Sequence, residues 1–158
     1  MKLVLTTICL VALLVGGCHH VGFLGGSGGE SGSANFTIES GSIVEDRPAD
    51  PNWLMVSTGI TIIAHDIAPI ETCAYLKFGF ELVPDSGLFV DVLGGMTFRN
   101  EFNGYTRPDG TWKKEPTELN IDGMIGGGFT YFLNDGGTAI IASYDNKRGL
   151  SAGVGFRY

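Results

Sequence analysis

Apolar and polar side chains alternate with a period of two through most of this chain. In the first such stretch, Phe36 and Ile38 share a face with Ser40, Ser42 and Val44, while Asn35, Thr37, Glu39 and Gly41 take the other. A period of two is the spacing of a strand, whose successive side chains point to opposite faces. Residues 53–65 repeat the pattern and are rich in Val, Ile and Thr, which favour a pleated surface. Leu76, Phe78, Phe80 and Leu82 then oppose Tyr75, Lys77, Gly79 and Glu81. Pro84-Asp85-Ser86-Gly87 is turn chemistry, and beyond it Leu88, Val90, Val92, Met96 and Phe98 oppose Phe89, Asp91, Leu93, Thr97 and Arg99, so the two runs form a hairpin. Leu119 to Tyr131 is a further strand, closed by a tight turn at Asn134–Gly137. Residues 138–144 form a short strand, and 149–158 form the last.

These are seven segments. A weaker one, Val21 to Gly26, lies in a Gly- and Ser-rich stretch and brings the number to eight. The expected fold is all-β, an eight-stranded antiparallel up-and-down β-barrel. Charge decides which face points inward. Lys77, Glu81, Asp91, Arg99, Asp122 and Arg157 all lie opposite the apolar stripes. A Lys or Arg facing lipid near the midplane of a bilayer costs about 2–4 kcal/mol. These six charges are therefore expected inside a transmembrane barrel, where both signs can pair. Eight strands leave an interior just wide enough for side chains, so the barrel should be plugged.

Composition narrows the function. The chain has 158 residues with 25 Gly, 10 Phe and 17% charged residues, which suits a tight antiparallel barrel better than a helical bundle. A net charge of −7 offers no basic patch, so no nucleic-acid partner is expected. Cys9, Cys18 and Cys73 make no disulfide framework and have no metal-ligand spacing, and no metal or cofactor is expected. His65-Asp66, Ser57 and Ser143 are the residues that acyl-transfer chemistry could draw on, but no nucleophile motif accompanies them. Gly126-Gly127-Gly128 lacks the Lys-Ser/Thr of a phosphate loop. No catalysis is expected.

The beginning of the chain reads as an address. Met1-Lys2 is followed by an apolar run from Leu3 to Leu14 and then by Val15-Gly16-Gly17, the layout of a secretory signal peptide over residues 1–17. The run is shorter than the roughly 20 residues a spanning helix needs. Val15-Gly16-Gly17-Cys18 resembles a bacterial lipobox, which makes Cys18 a candidate lipidation site. Residues 18–33 read as a Gly/Ser-rich N-terminal segment holding the weak first strand, and 34–158 as the barrel domain.

The final strand carries a resemblance. Leu150, Ala152, Val154, Phe156 and Tyr158 share one face, and the run closes on an aromatic ring. The pattern Ala152, Val154, Phe156, Tyr158 resembles the assembly signal of bacterial outer-membrane β-barrels, and the tail is similar to the last strand of small OmpX/OmpA-like barrels. That resemblance implies a bacterial outer-membrane location after export, contact with outer-membrane lipid and recognition by the barrel-assembly machinery. It places the polar stretch 103–117 outside the cell, where Tyr105 and Trp112 could meet an extracellular partner. A structural or surface-interaction role follows. Two other classes compete: a lipidated periplasmic β-barrel that binds a small apolar ligand, and an outer-membrane lipid-modifying enzyme.

Overall fold

A computed structural model describes residues 20–28, 34–44, 54–64, 71–101, 104–106, 108–114, 118–133 and 137–157. Among these residues ten strands run in chain order: β1 His20–Ser27, β2 Ala34–Val44, β3 Leu54–Ala64, β4 Glu71–Glu81, β5 Leu88–Glu101, β6 Gly104–Thr106, β7 Trp112–Lys114, β8 Glu118–Phe132, β9 Thr138–Asp145 and β10 Gly149–Arg157. Eight of them close into one barrel in the order β1-β10-β9-β8-β5-β4-β3-β2. Every neighbouring pair is antiparallel, so the chain meanders up and down as its alternation predicts. No helix occurs among the described residues.

The first strand closes the barrel. Its Gly-rich sequence is a poor strand former alone. Two flanking strands hold it, from His20↔Gly41 to Ser27↔Ala34 on one side and from His20↔Arg157 to Ser27↔Leu150 on the other. The barrel thus begins ahead of residue 34. The stretch 103–117, read as a loop, contains β6 and β7, which pair only with each other around Pro108-Asp109-Gly110-Thr111. Asp109 accepts bonds from the Thr111 amide (2.9 Å) and hydroxyl (2.6 Å), and these hold its carboxyl below the ordinary range.

A lateral circuit runs from Ser27 through Leu150, Tyr144, Gly127, Val92, Phe78, Val56 and Ser42. Ser42 adjoins Gly41, the partner of His20, so one circuit shifts the register by about eight residues. Strand number and shear together fix tilt and radius, and a barrel this narrow is filled by its side chains. An 11-residue strand such as β3 rises about 25 Å at a tilt near 40°.

The two faces of the wall are opposite in character. Outward residues are apolar and exposed on every stave: Phe23, Phe36, Ile62, Phe78, Val92, Ile125, Ile140 and Val154 among them. Inward residues are buried and largely polar, including His20, Asn35, Thr37, Glu39, Ser57, Thr61, Glu71, Lys77, Asp91, Thr97, Thr130, Ser143, Asp145, Arg148 and Ser151. Two apolar groups flank this polar middle. Ile43, Met55, Phe89, Phe132, Ala139 and Ile141 gather with Leu24 toward the end bearing the turn at Pro84. Ile63, Cys73, Tyr75, Leu93 and Met124 form the other.

Candidate functional site: the ionic interior

Lys77 stands on the inward face of β4, put there by the alternation with Leu76 and Phe78. Its Nζ donates to Glu39 Oε1 at 2.6 Å and to Thr130 Oγ1 at 3.3 Å, and lies 3.5 Å from Asp91 Oδ2. Thr130 in turn donates to Asp91 Oδ2 at 2.7 Å, so β2, β4, β5 and β8 are tied across the barrel. Tyr75, one inward position away from Lys77, donates its hydroxyl to Glu39 Oε2 at 2.9 Å. Taking these ions out of water costs several kcal/mol each, and only dense pairing and hydrogen bonding offset that.

The second half of the network comes from a turn. Asp145 ends β9, and Arg148 follows three residues later in the connection to β10. Asp145 Oδ1 accepts from the Lys147 and Arg148 amides at 3.0 and 2.7 Å, which shapes the turn. Gly149 leaves it with φ 71°, a value an L side chain rarely adopts. The turn thereby aims Arg148 down the barrel. Its Nε donates to Asp145 Oδ2, and its Nη1 reaches Thr37 and Thr61, both at 3.2 Å. Its guanidinium carbon lies 4.5 Å from the centroid of the Tyr75 ring. Asn35 and Ser151 secure the root of the plug, Asn35 Nδ2 donating to the Arg148 carbonyl at 3.0 Å and Ser151 Oγ to Asn35 Oδ1 at 3.0 Å. Asp91, Lys77, Glu39, Tyr75, Arg148 and Asp145 form one connected path.

Glycine makes room for these side chains. A Cβ at Gly59 would meet the Tyr75 ring, and one at Gly79 would meet Asp91 Oδ1 and Met55.

The six charges expected inside occupy three environments. Lys77 and Asp91 lie in the sealed network. Arg99 and Glu81 serve the two ends of the wall: Arg99 pairs with buried Glu71 at 3.1 Å, and Glu81 accepts from the Gly87 amide at 2.8 Å in the turn beyond β4. Asp122 and Arg157 are exposed, which corrects their placement inside. Both have inward parity, but β8 rises past β9 at Asp122, and Arg157 lies at the opposite rim beside His20. Asp122 pairs with Lys147, from the turn between β9 and β10, at 3.0 Å.

Glu39, Glu71, Asp145 and Arg148 escaped the reading of the sequence. Glu39 and Asp145 were visible in principle, since alternation puts them with Thr37 and Ser143. Arg148 carried no such signal, because a turn has no period.

Among the described residues, Ser57 and Ser143 do not assemble a reactive centre. Ser57 Oγ is 3.4 Å from His20 Nε2, but both are sealed inside the wall, with Phe132 edge-on to the His20 ring. Ser143 Oγ accepts from Arg148 Nη2 at 3.5 Å. His65, Asp66, Cys18, Tyr158 and the side chains of Tyr105 and Trp112 lie outside the described residues. Ala152, Val154 and Phe156 face outward from β10, all exposed.

No family model matches the sequence, and no curated protein does. The fold itself has a solved counterpart: the N-terminal β-barrel domain of Pseudomonas aeruginosa OprF, with a TM-score of 0.55 and 16% identity over 88% of this chain and 96% of that one. The expected fold is thus the observed one, a closed eight-stranded antiparallel barrel like the small OmpA-like barrels.

Proposed function

We propose that the chain is a bacterial outer-membrane β-barrel protein with a structural or surface-interaction role, without a pore and without catalysis. One observation carries this reading: the barrel is apolar outside and ionic inside. Phe78, Val92, Ile125 and Val154 are 41%, 52%, 73% and 46% exposed, on four different strands, while Lys77, Asp91 and Glu39 are at most 2% exposed. In water that distribution would forfeit most of the hydrophobic stabilisation of the fold. In hydrocarbon it solvates the outer wall, and a closed sheet leaves no strand edge unpaired in the lipid.

Support for a plugged interior comes from the filled cross-section at Lys77, Tyr75 and Arg148. Support against catalysis comes from the sealing of Ser57 and His20. The exported, lipid-anchored form is part of the same proposal: residues 1–17 act as the signal peptide and Cys18 carries the acyl group. β1 begins two residues after Cys18, within about 7 Å of extended chain, so acyl chains at Cys18 would enter the leaflet beside the barrel base. The base is then periplasmic and the β6–β7 hairpin extracellular, where it is the natural contact for a partner.

The test is retention in the outer membrane after urea or carbonate washing, combined with the mass of the mature N-terminus. Release by washing sinks the membrane-spanning assignment. Retention with an unmodified N-terminus removes only the lipid anchor. Planar-bilayer recording should show no steady conductance.

A further inference from the structure

The wall of the barrel is uneven. β1 and β9 have 8 residues each and β10 has 9, whereas β5 has 14 and β8 has 15. β9 meets β8 no higher than Gly126↔Asp145, and β4 meets β5 no higher than Glu71↔Arg99. Above those levels, among the described residues, β5 and β8 pair only with each other, up to Glu101↔Glu118. Asn146 caps the start of the free β8 edge, accepting from the Ile125 amide at 2.9 Å and donating to the Gly123 carbonyl at 3.4 Å.

The alternation does not stop where the closed barrel stops. Leu119 and Ile121 keep the outward side and are each 56% exposed, while Asn120 and Asp122 keep the axial side. Nothing in the barrel interior demands this pattern at that height. A hairpin standing in water would gain solubility from polar residues on both faces. The outward side of β8 carries no charge from Leu119 through Ile125 and Phe129 to Tyr131. That is roughly 30 Å of apolar height at the usual rise and tilt. On β10 the outward apolar run from Leu150 to Phe156 spans roughly 15 Å, with Lys147 in the turn above it.

We propose that Leu119 and Ile121, on the extension of β8 above the closed wall, contact lipid acyl chains, so that the barrel imposes an uneven bilayer thickness around itself. The tall side is β5–β8 and the short side is β9-β10-β1. The occupant is lipid because the extension continues the apolar outer wall without a break at Gly123, Ile125 and Gly127. A longer apolar wall draws the leaflet up and a shorter one thins it, at a cost of fractions of a kcal/mol per Å. The inference rests on the outer-membrane reading above and deepens it.

Single cysteines at Leu119, Ile121, Asn120 and Phe78 test it, in full chains whose Cys9, Cys18 and Cys73 are serine. Each chain is folded into phosphatidylcholine vesicles and labelled with an environment-sensitive fluorophore. Quenching by brominated acyl chains is compared with quenching by aqueous iodide. The expected result is bromolipid quenching at Leu119 and Ile121 comparable to that at Phe78, with iodide quenching at Asn120. Iodide quenching at Leu119 and Ile121, with bromolipid quenching kept at Phe78, overturns the inference and leaves the outer-membrane reading intact. Iodide quenching at Phe78 removes both. Protection of Leu119 from both quenchers, with crosslinking into dimers, overturns it in favour of a second copy as the occupant.

Discussion

The Arg148 guanidinium sits over the Tyr75 ring, 4.5 Å from its centroid, although one residue comes from a turn and the other from the middle of β4. This contact joins the two halves of the interior network. Tyr75 binds Glu39 through its hydroxyl and Arg148 through its ring face, so the charge pairs Lys77–Glu39 and Arg148–Asp145 share one aromatic spacer.

Replacing Arg148 with Ala leaves Asp145 sealed without its cation. Breaking one partner of a buried pair costs about 3–5 kcal/mol. The expected outcome is a lower urea midpoint in vesicles, read by tryptophan fluorescence, with the slope unchanged. Arg148→Lys should recover only part of the loss, since an ammonium cannot reach Asp145, Thr37 and Thr61 together.

Lys77→Met removes the cation that Glu39 and Asp91 share. A loss of about 3–5 kcal/mol is expected in the same assay. Adding Glu39→Gln and Asp91→Asn should restore much of it, because the repulsion between two stranded carboxylates is then gone. A triple variant as unstable as the single one would mean that Lys77 acts by filling space.

Gly59 and Gly123 should respond differently to an added methyl group. At Gly59 the new Cβ meets the Tyr75 ring, and at Gly123 it meets nothing within 4 Å. Gly59→Ala is expected to cost about 1–3 kcal/mol as overpacking. Gly123→Ala should be neutral within about 0.5 kcal/mol. Equal effects would show that Tyr75 can swing aside.

Val92 lies on the outer wall, beside Phe78 and Gly127. Val92→Arg should lower stability in vesicles by about 2–4 kcal/mol and reduce heat-modifiable gel mobility. Val92→Leu should leave both unchanged. An arginine tolerated here would contradict a lipid-facing wall.

Deleting residues 104–114 should leave a folded barrel. β6 and β7 pair with each other and with no barrel strand. Gel mobility before and after heating reads the outcome, and loss of the folded band would show that the hairpin supports β5 and β8.

Much of the fold was legible because alternation is local. Each stave after the first announces its own inward and outward faces, as Phe78 against Lys77 and Val92 against Asp91 do, and the cost of charge in hydrocarbon then orients them. Boundaries were less legible: β4 starts at Glu71, three residues before its clean alternation, because Arg99 across the pair holds that end. The β6–β7 hairpin was read as loop because three-residue strands are too short to show a period.

The sequence by itself determined the two-faced staves, their number once the Gly-rich start was admitted, and the character of each face. Only the tertiary structure decided which charges meet. Lateral register and shear depend on all eight strands closing together, and they alone carry Arg148 into contact with Tyr75 and leave Asp122 above the rim. A period of two fixes the side on which a residue points, and closure fixes the height at which it stands and the neighbour it finds there.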